Sequence, residues 1–233
     1  MRLRPAVAAV TLPLLSLTLA ACGESAVDAY AKTPPATVDQ DLRDALNGLT
    51  SIHVHTVQRL GTTPFIMDIS VDSAGRCQGT LSQGTQTLSL IGLGGDKVYA
   101  RASADFWQGA EGASATAAAA LADRWVTGLP SGIFSNTCSI KSLVQSFTGD
   151  SIAKNKPTLV GKTKVDGIDA VSLQILISGT KVTIAVQADK PHRPLRVISS
   201  GGKLTSVFTQ FDQPIRPTAP AGAQDLSALT GTK

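Results

Sequence analysis

From residue 51 onward, apolar and polar residues alternate with a period of two, and Gly-containing pairs interrupt the alternation at hairpin spacing. That combination points to an antiparallel meander. Successive side chains of a strand face opposite ways, and a tight turn is what brings the chain back alongside itself. The first strand runs Ser51–Leu60. Gly61 to Pro64 turns it into a second, in which Phe65, Met67, Ile69 and Val71 share one face and Ile66, Asp68, Ser70 and Asp72 the other. Further strands fall at residues 76–82, 85–93 and 96–101, punctuated by Gln83-Gly84 and Gly94-Gly95. The pattern resumes at 157–165, 168–178, 181–188, 194–200 and 203–211, with Asp166-Gly167 and Gly179-Thr180 as turns. The reading is about ten strands.

Helices are fewer. Thr37-Val38-Asp39-Gln40 has the form of a capping box, and Val38, Leu42, Ala45, Leu46 and Leu49 then repeat at helical spacing. A second helix is predicted over residues 114–126, alanine-rich at 117–120 and ending near Trp125. Its small residues suit close packing on a sheet, with a sliding lid as the alternative. A third is short, at 139–147. The class is α+β, with about three helices.

The N-terminus sets the compartment. Met1-Arg2-Leu3-Arg4 is followed by an uncharged stretch, residues 5–21, that is mostly Ala, Val and Leu. A spanning helix needs about 20 apolar residues, and this one is short and broken by Pro13, so residues 1–21 read as a cleaved signal peptide. Leu19-Ala20-Ala21-Cys22 resembles the bacterial lipobox, which implies cleavage before Cys22 and acylation, such as palmitate, on that cysteine. The bland alternative is an ordinary secretory signal with an incidental cysteine. Two or three acyl chains, each adding about 0.8 kcal/mol per buried methylene, hold a protein firmly on the extracytoplasmic face of the cell membrane. Residues 22–36, with Pro34-Pro35 and no apolar period, are expected to be a tether spanning about 20 Å. Residues 37–233 then form one domain, expected to be monomeric.

The formal net charge of +4 includes Arg2 and Arg4, so the mature chain is near neutral and a nucleic-acid partner gains no support. With Cys22 used for lipid, Cys77 and Cys138 remain as an even pair in an oxidising compartment. A disulfide is the natural expectation, two buried free thiols the alternative.

Signals of chemistry are sparse. His53 and His55 lie two apart on one strand, as zinc ligands sometimes do, but no third ligand is near in sequence, and a solvated polar face is the simpler reading. His192, in the turn Pro191-His192-Arg193-Pro194, is expected to be exposed. Gly92 to Lys97 superficially matches a phosphate loop, yet it lies between two strands and has no hydroxyl residue after the lysine. No Gly-X-Ser-X-Gly elbow occurs. The expectation is a protein without catalytic residues, metal or cofactor.

Two segments carry a family resemblance. Gly94-Gly95-Asp96-Lys97-Val98-Tyr99, followed by Asp105-Phe106-Trp107, and Phe208-Thr209-Gln210-Phe211-Asp212-Gln213-Pro214-Ile215, leading to Pro217, Pro220 and Asp225-Leu226, resemble the mycobacterial LppX and LprG group of actinobacterial lipoproteins. The likeness runs over nearly all of the mature chain. It implies a half-barrel similar to the Lol-type lipoprotein carriers: a strongly curved antiparallel sheet with helices over its concave face. It also implies binding or movement of acylated lipids or glycolipids. Cys77 and Cys138 depart from the group's pattern and point to a neighbouring branch.

The residues support the same outline independently. About ten strands with a continuous apolar face must be covered, and three short helices are little to cover them with. Phe65, Met67, Ile69, Val71, Leu88, Leu90, Val171, Leu173, Ile175, Ile177, Val182, Ile184 and Val186 are the candidates for lining a lipid cavity, and Phe106, Trp107 and Trp125 form either its mouth or the anchor of the alanine-rich helix on the sheet. The opposing reading is a closed, dry core. The expected function is therefore an anchored carrier or chaperone of acylated lipid. The alternative is a structural or signalling lipoprotein that acts through an envelope protein partner.

Overall fold

The computed structural model describes residues 24–95, 97–109, 112–128, 137–148, 154 and 156–226; the signal segment, the lipobox and Cys22 lie outside them. Two meanders make one sheet. The first comprises β1 (Ser51–Leu60), β2 (Thr63–Asp72), β3 (Arg76–Gln83), β4 (Gln86–Leu93), β5 (Val98–Ala102) and β6 (Trp125–Thr127). The second comprises β7 (Thr158–Val165), β8 (Ile168–Ile177), β9 (Thr180–Gln187), β10 (Pro194–Ser199) and β11 (Leu204–Thr209). Each strand pairs antiparallel with the next, and β1 against β11 joins the halves, with Val54 opposite both Ile69 and Phe208. A two-residue strand, β12 (Gln224–Asp225), runs parallel to β6. The resulting sheet has twelve strands and two free edges, β12 and β7, so it does not close on itself, as a half-barrel requires.

Five α-helices are described: α1 (Ala26–Tyr30), α2 (Pro35–Asn47), α3 (Ala104–Gly109), α4 (Ala115–Leu121) and α5 (Ile140–Thr148). All cover one face. Val38, Leu42 and Leu46 of α2 and Leu143 of α5 share a buried cluster with Ile52, Val54, Ile69, Val71, Leu173 and Phe208. A second cluster sets Trp107 of α3 and Ala118 of α4 on Leu88, Leu90, Ala100 and Val126. The registers place Ile69 opposite Gly79 and Gly79 opposite Leu90, so both clusters lie on the same side of the sheet.

Several expectations are corrected. The tether is shorter than residues 22–36, because Ala26–Tyr30 is helical and docks on the domain. Ser25 caps that helix by accepting from the Asp28 N–H, and the Tyr30 ring is buried, stacked on His192 at 4.2 Å between centroids. His192 is accordingly half-buried rather than exposed. The capping box does not form. α2 starts with Pro35 at its first position, and Asp39 lies a turn further in, buried, 3.5 Å from the Arg43 guanidinium. The alanine-rich helix stops at Leu121, where Asp123 takes a positive φ of 57° and donates its N–H to the Ala102 carbonyl. The chain then enters β6. Strands and helices thus number twelve and five rather than ten and three among the described residues.

Two glycines are required by close approach. A Cβ on Gly79 would lie 2.2 Å from the Asp68 carbonyl oxygen and 2.6 Å from the Ile69 Cα. One on Gly92 would lie 2.9 Å from Cys77 Sγ and 3.1 Å from Cys138 Sγ. Those two sulfurs form the expected disulfide, which ties β3 to the residues just before α5.

Candidate functional site

The strands that leave α2 behind open a cavity at one end of the helix-covered face. Along β1 the inward residues are Ile52, Val54, Thr56 and Gln58. The first two are packed in the main cluster, and the third is buried with its hydroxyl 2.8 Å from that of Ser206. This pair satisfies both hydroxyls internally, so it sits in an apolar surround without an unpaired polar atom. Past it lies a cavity of about 350 Å³, lined by Gln58, Arg59, Ser146, Ile177, Thr180, Val182, Val197, Ser199, Lys203 and Leu204. Its floor is aliphatic, from β8, β9, β10 and β11. Its rim is hydroxyl, amide and cationic.

Helix α5 supplies Ser146 and is fixed at both ends. Ser139, next to the disulfide, accepts from the Ser142 N–H, and the Arg43 guanidinium donates to the Thr148 carbonyl at 2.6 Å. A cation on the last turn also meets the negative end of the helix dipole. The roof of the cavity is therefore held by a covalent bond at one end and a charged hydrogen bond at the other.

The predicted lining residues divide into groups. Ile177 and Val182 line the cavity. Ile69, Val71, Val171, Leu173, Ile175, Ile184 and Val186 are buried in the main cluster, with Met67 packed against it. Leu88, Leu90 and Trp107 are buried in the second cluster, with Phe106 against them and its ring 5.6 Å from that of Trp107. Phe65 is half-buried on the inward side of β2, opposite Gln58. Trp125 pairs with Arg101 on the opposite face, where the guanidinium lies 5.1 Å from the indole centroid. The expected grouping of three aromatics at one mouth is thus corrected: strand alternation sends Trp125 outward. Val197 and Leu204 were missed. Ser206, between Leu204 and Phe208, breaks the apolar alternation that would have revealed Leu204, and a register shift between Pro194 and Arg196 breaks it before Val197.

The histidine pair lies on the face away from the helices. His53 Nδ1 is 3.0 Å from Ser70 Oγ, and His55 Nδ1 is 2.9 Å from Asp68 Oδ2. Tyr30 and Asp212 are among the groups elsewhere with displaced titrations. Burial, reinforced by Asp41, pushes the Tyr30 phenol up. Burial would raise the Asp212 carboxyl too, but hydrogen bonds from the Thr50 N–H and hydroxyl, with the Arg193 guanidinium beside it, hold it below the ordinary value.

Solved structures give the architecture a precedent. LprF from Mycobacterium bovis aligns with a TM-score of 0.55 at 17% identity, over 81% of this chain and 97% of LprF. The Mycobacterium tuberculosis lipoprotein LppX aligns with a TM-score of 0.51 at 17% identity, over 78% of this chain and 97% of LppX. The fold is that of LprF and LppX. The expected resemblance to mycobacterial lipoproteins therefore holds in three dimensions, and the aligned region accounts for almost the whole length of each neighbour. No protein-family model matches the sequence, and no curated protein matches it.

Proposed function

We propose that this chain is an extracytoplasmic lipoprotein, anchored through acyl chains on Cys22, that binds the hydrocarbon of an acylated lipid and shields it away from a bilayer. The observation that carries the reading is the aliphatic cavity formed by Ile177, Val182, Val197 and Leu204 on the helix-covered face. Its origin is a mismatch of lengths. The 13 residues of α2 span about 20 Å as a helix, whereas the 10 residues of β1 or β8 span about 33 Å as a strand. Even laid along the strands, α2 leaves one end of the sheet to the shorter α5, which roofs the cavity there without filling it.

A volume near 350 Å³ lies at the lower end of the range for small-molecule sites. At about 30 Å³ per water-sized group it takes about a dozen methylenes. At about 0.8 kcal/mol each, these release about 10 kcal/mol gross, enough to offset an association cost of several kcal/mol. Lipoprotein acylation and lipid binding fit together here: the docked helix α1 keeps the cavity-bearing domain within a few residues of the membrane.

The test is direct. The full chain carrying Cys22→Ser, exported and purified without detergent, is extracted and analysed by mass spectrometry. Stoichiometric lipid supports the carrier; its repeated absence, with no uptake of added lipid, rejects it. Metabolic labelling with an alkyne fatty acid tests the anchor, and label retained in the Cys22→Ser chain would reject it.

A second reading, contact with an envelope protein, is favoured by one observation: the free edge strand β7 exposes Val160 (60%), and Ile168 beside it is also exposed (42%). Loss of a co-purifying protein on Val160→Lys, with lipid content unchanged, would support it.

A further inference from the structure

The three turns that border the cavity carry no carboxylate. Turns bordering the cavity are neutral or basic: Gly61-Thr62 follows Arg59, Ser178-Gly179 precedes Lys181, and Ser200–Gly202 leads into Lys203. Turns at the far end mix both signs, Asp72 with Arg76, Asp189 with Lys190, and Asp212 with Arg193. Arg59 and Lys203 are the ionisable residues of the cavity lining, and both are cations. The Arg59 N–H donates to the Lys203 carbonyl at 2.6 Å, so the two backbones are adjacent at the edge of the cavity and both side chains are exposed there. Among the described residues, every carboxylate engaged in a salt bridge pairs with another partner: Glu24 with Lys32, Asp28 with Lys162, Asp39 with Arg43, Asp68 with His53 and His55, Asp72 with Arg76, Asp169 with Lys164, and Asp212 with Arg193.

We propose that the occupant of the cavity is a single-chain lipid anion, its hydrocarbon against Ile177, Val182, Val197 and Leu204 and its acid headgroup beside Arg59 and Lys203. The inference rests on the lipid-binding reading above and adds the ligand's class to it. One chain follows from volume, since the space holds about a dozen methylenes at about 30 Å³ each. Negative charge follows from two exposed cations at the edge of an apolar space, with no salt bridge to them from a carboxylate among the described residues. The hydroxyls of Ser146, Thr180 and Ser199 and the amide of Gln58 supply neutral hydrogen bonds around them.

The experiment is isothermal titration of the full Cys22→Ser chain, stripped of lipid, with laurate, dodecanol and butyrate, each below its aggregation threshold. Laurate is expected to saturate at one per chain, dodecanol to bind about ten-fold more weakly, and butyrate to give no heat of binding. Each exposed cation is worth up to about five-fold. The double variant Arg59→Gln/Lys203→Gln therefore loses about ten-fold or more for laurate and nothing for dodecanol, and Lys203→Gln alone, in an exposed turn, shows part of that loss. Raising salt from about 0.05 M to about 0.5 M narrows the gap between laurate and dodecanol. Equal affinity for the two, or a preference that survives in the double variant, overturns the anion while leaving the apolar cavity in place. Failure of both long-chain probes to bind overturns the lipid-binding reading itself, and this inference with it.

Discussion

Replacing Cys77 and Cys138 together by alanine tests the link between covalent structure and cavity. The bridge closes a loop with a sequence separation of 61, and in the loop-entropy account a cross-link of that size removes about 4 kcal/mol of chain freedom from the unfolded state. Both cysteines are buried, so alanine leaves no unpaired polar atom, and the change acts chiefly through the unfolded chain and a small loss of packing. A domain stable by 5–15 kcal/mol would forfeit about a third or more of that margin. Urea unfolding followed by tryptophan fluorescence and far-ultraviolet dichroism should show the midpoint falling by about 2 M if the slope is about 2 kcal/mol per molar. The wild-type chain under reductant should fall by the same amount. Because the bridge immediately precedes α5, laurate affinity of the still-folded variant should fall as well, through a looser Ser146 roof. A stability loss below about 1 kcal/mol would refute the reasoning, since it would mean that residues 77 and 138 are held together in the unfolded chain by something other than the bridge.

Four further outcomes follow from particular contacts. Gly79→Ala drives a methyl into the Asp68 carbonyl and the Ile69 backbone, and thermal unfolding should report a loss of about 3 kcal/mol; a neutral result would refute the close approach. Val182→Phe overfills a buried position at the cavity wall, so it should abolish one-to-one lipid uptake, measured by extraction and mass spectrometry, at a cost of about 1–3 kcal/mol in stability. Tyr30→Phe removes the hydrogen bond to Asp41 at 3.2 Å but keeps the ring against His192, for a cost of about 1 kcal/mol in urea unfolding. Asp212 has a folded-state value depressed below the ordinary 3.8, so its contribution is fully present above that pH and lost as pH falls through the lower, folded value. Unfolding curves between about pH 5 and pH 2 should therefore be flatter for Asp212→Asn than for wild type.

The long hairpins were legible because each carries a two-residue period over eight to ten residues and a glycine at the turn, as in β2, β3, β8 and β9. Elements too short to express a period were not. α1 has five residues, β6 three and β12 two, and their positions depend on partners far away in sequence: Tyr30 on His192, Gln224 beside Val126. The start of α2 misled for a local reason. Thr37 and Gln40 fit a capping box, but Pro35 fits the first helical turn still better, since it has no N–H to leave unsatisfied and its φ is already helical. Trp125 misled because a large aromatic beside an alanine run invites a common cluster, whereas the positive φ at Asp123 ends the helix and restarts the alternation.

What could not be read from periodicity is where along the strands the helices stop. Alternation assigns Ile175, Ile177, Val182 and Ile184 to one face with equal force, and it says nothing about which of them a helix reaches. In the structure Ile175 and Ile184 are deep in the packed cluster, while Val182 at its edge and the half-buried Ile177 line the cavity one strand step away. The boundary follows from lengths, about 20 Å of helix over about 33 Å of strand, and from the Thr56–Ser206 hydroxyl pair, which completes a polar bond inside the core before the cavity begins. A face that is half core and half cavity also separates two requirements that usually conflict. The packed half supplies stability that a bound lipid does not disturb, and the bare half remains free to exchange its occupant without unfolding the sheet. Extending α2 by two apolar turns at its C-terminus would erase the distinction, and the prediction is a chain that is more stable in urea and takes up no lipid.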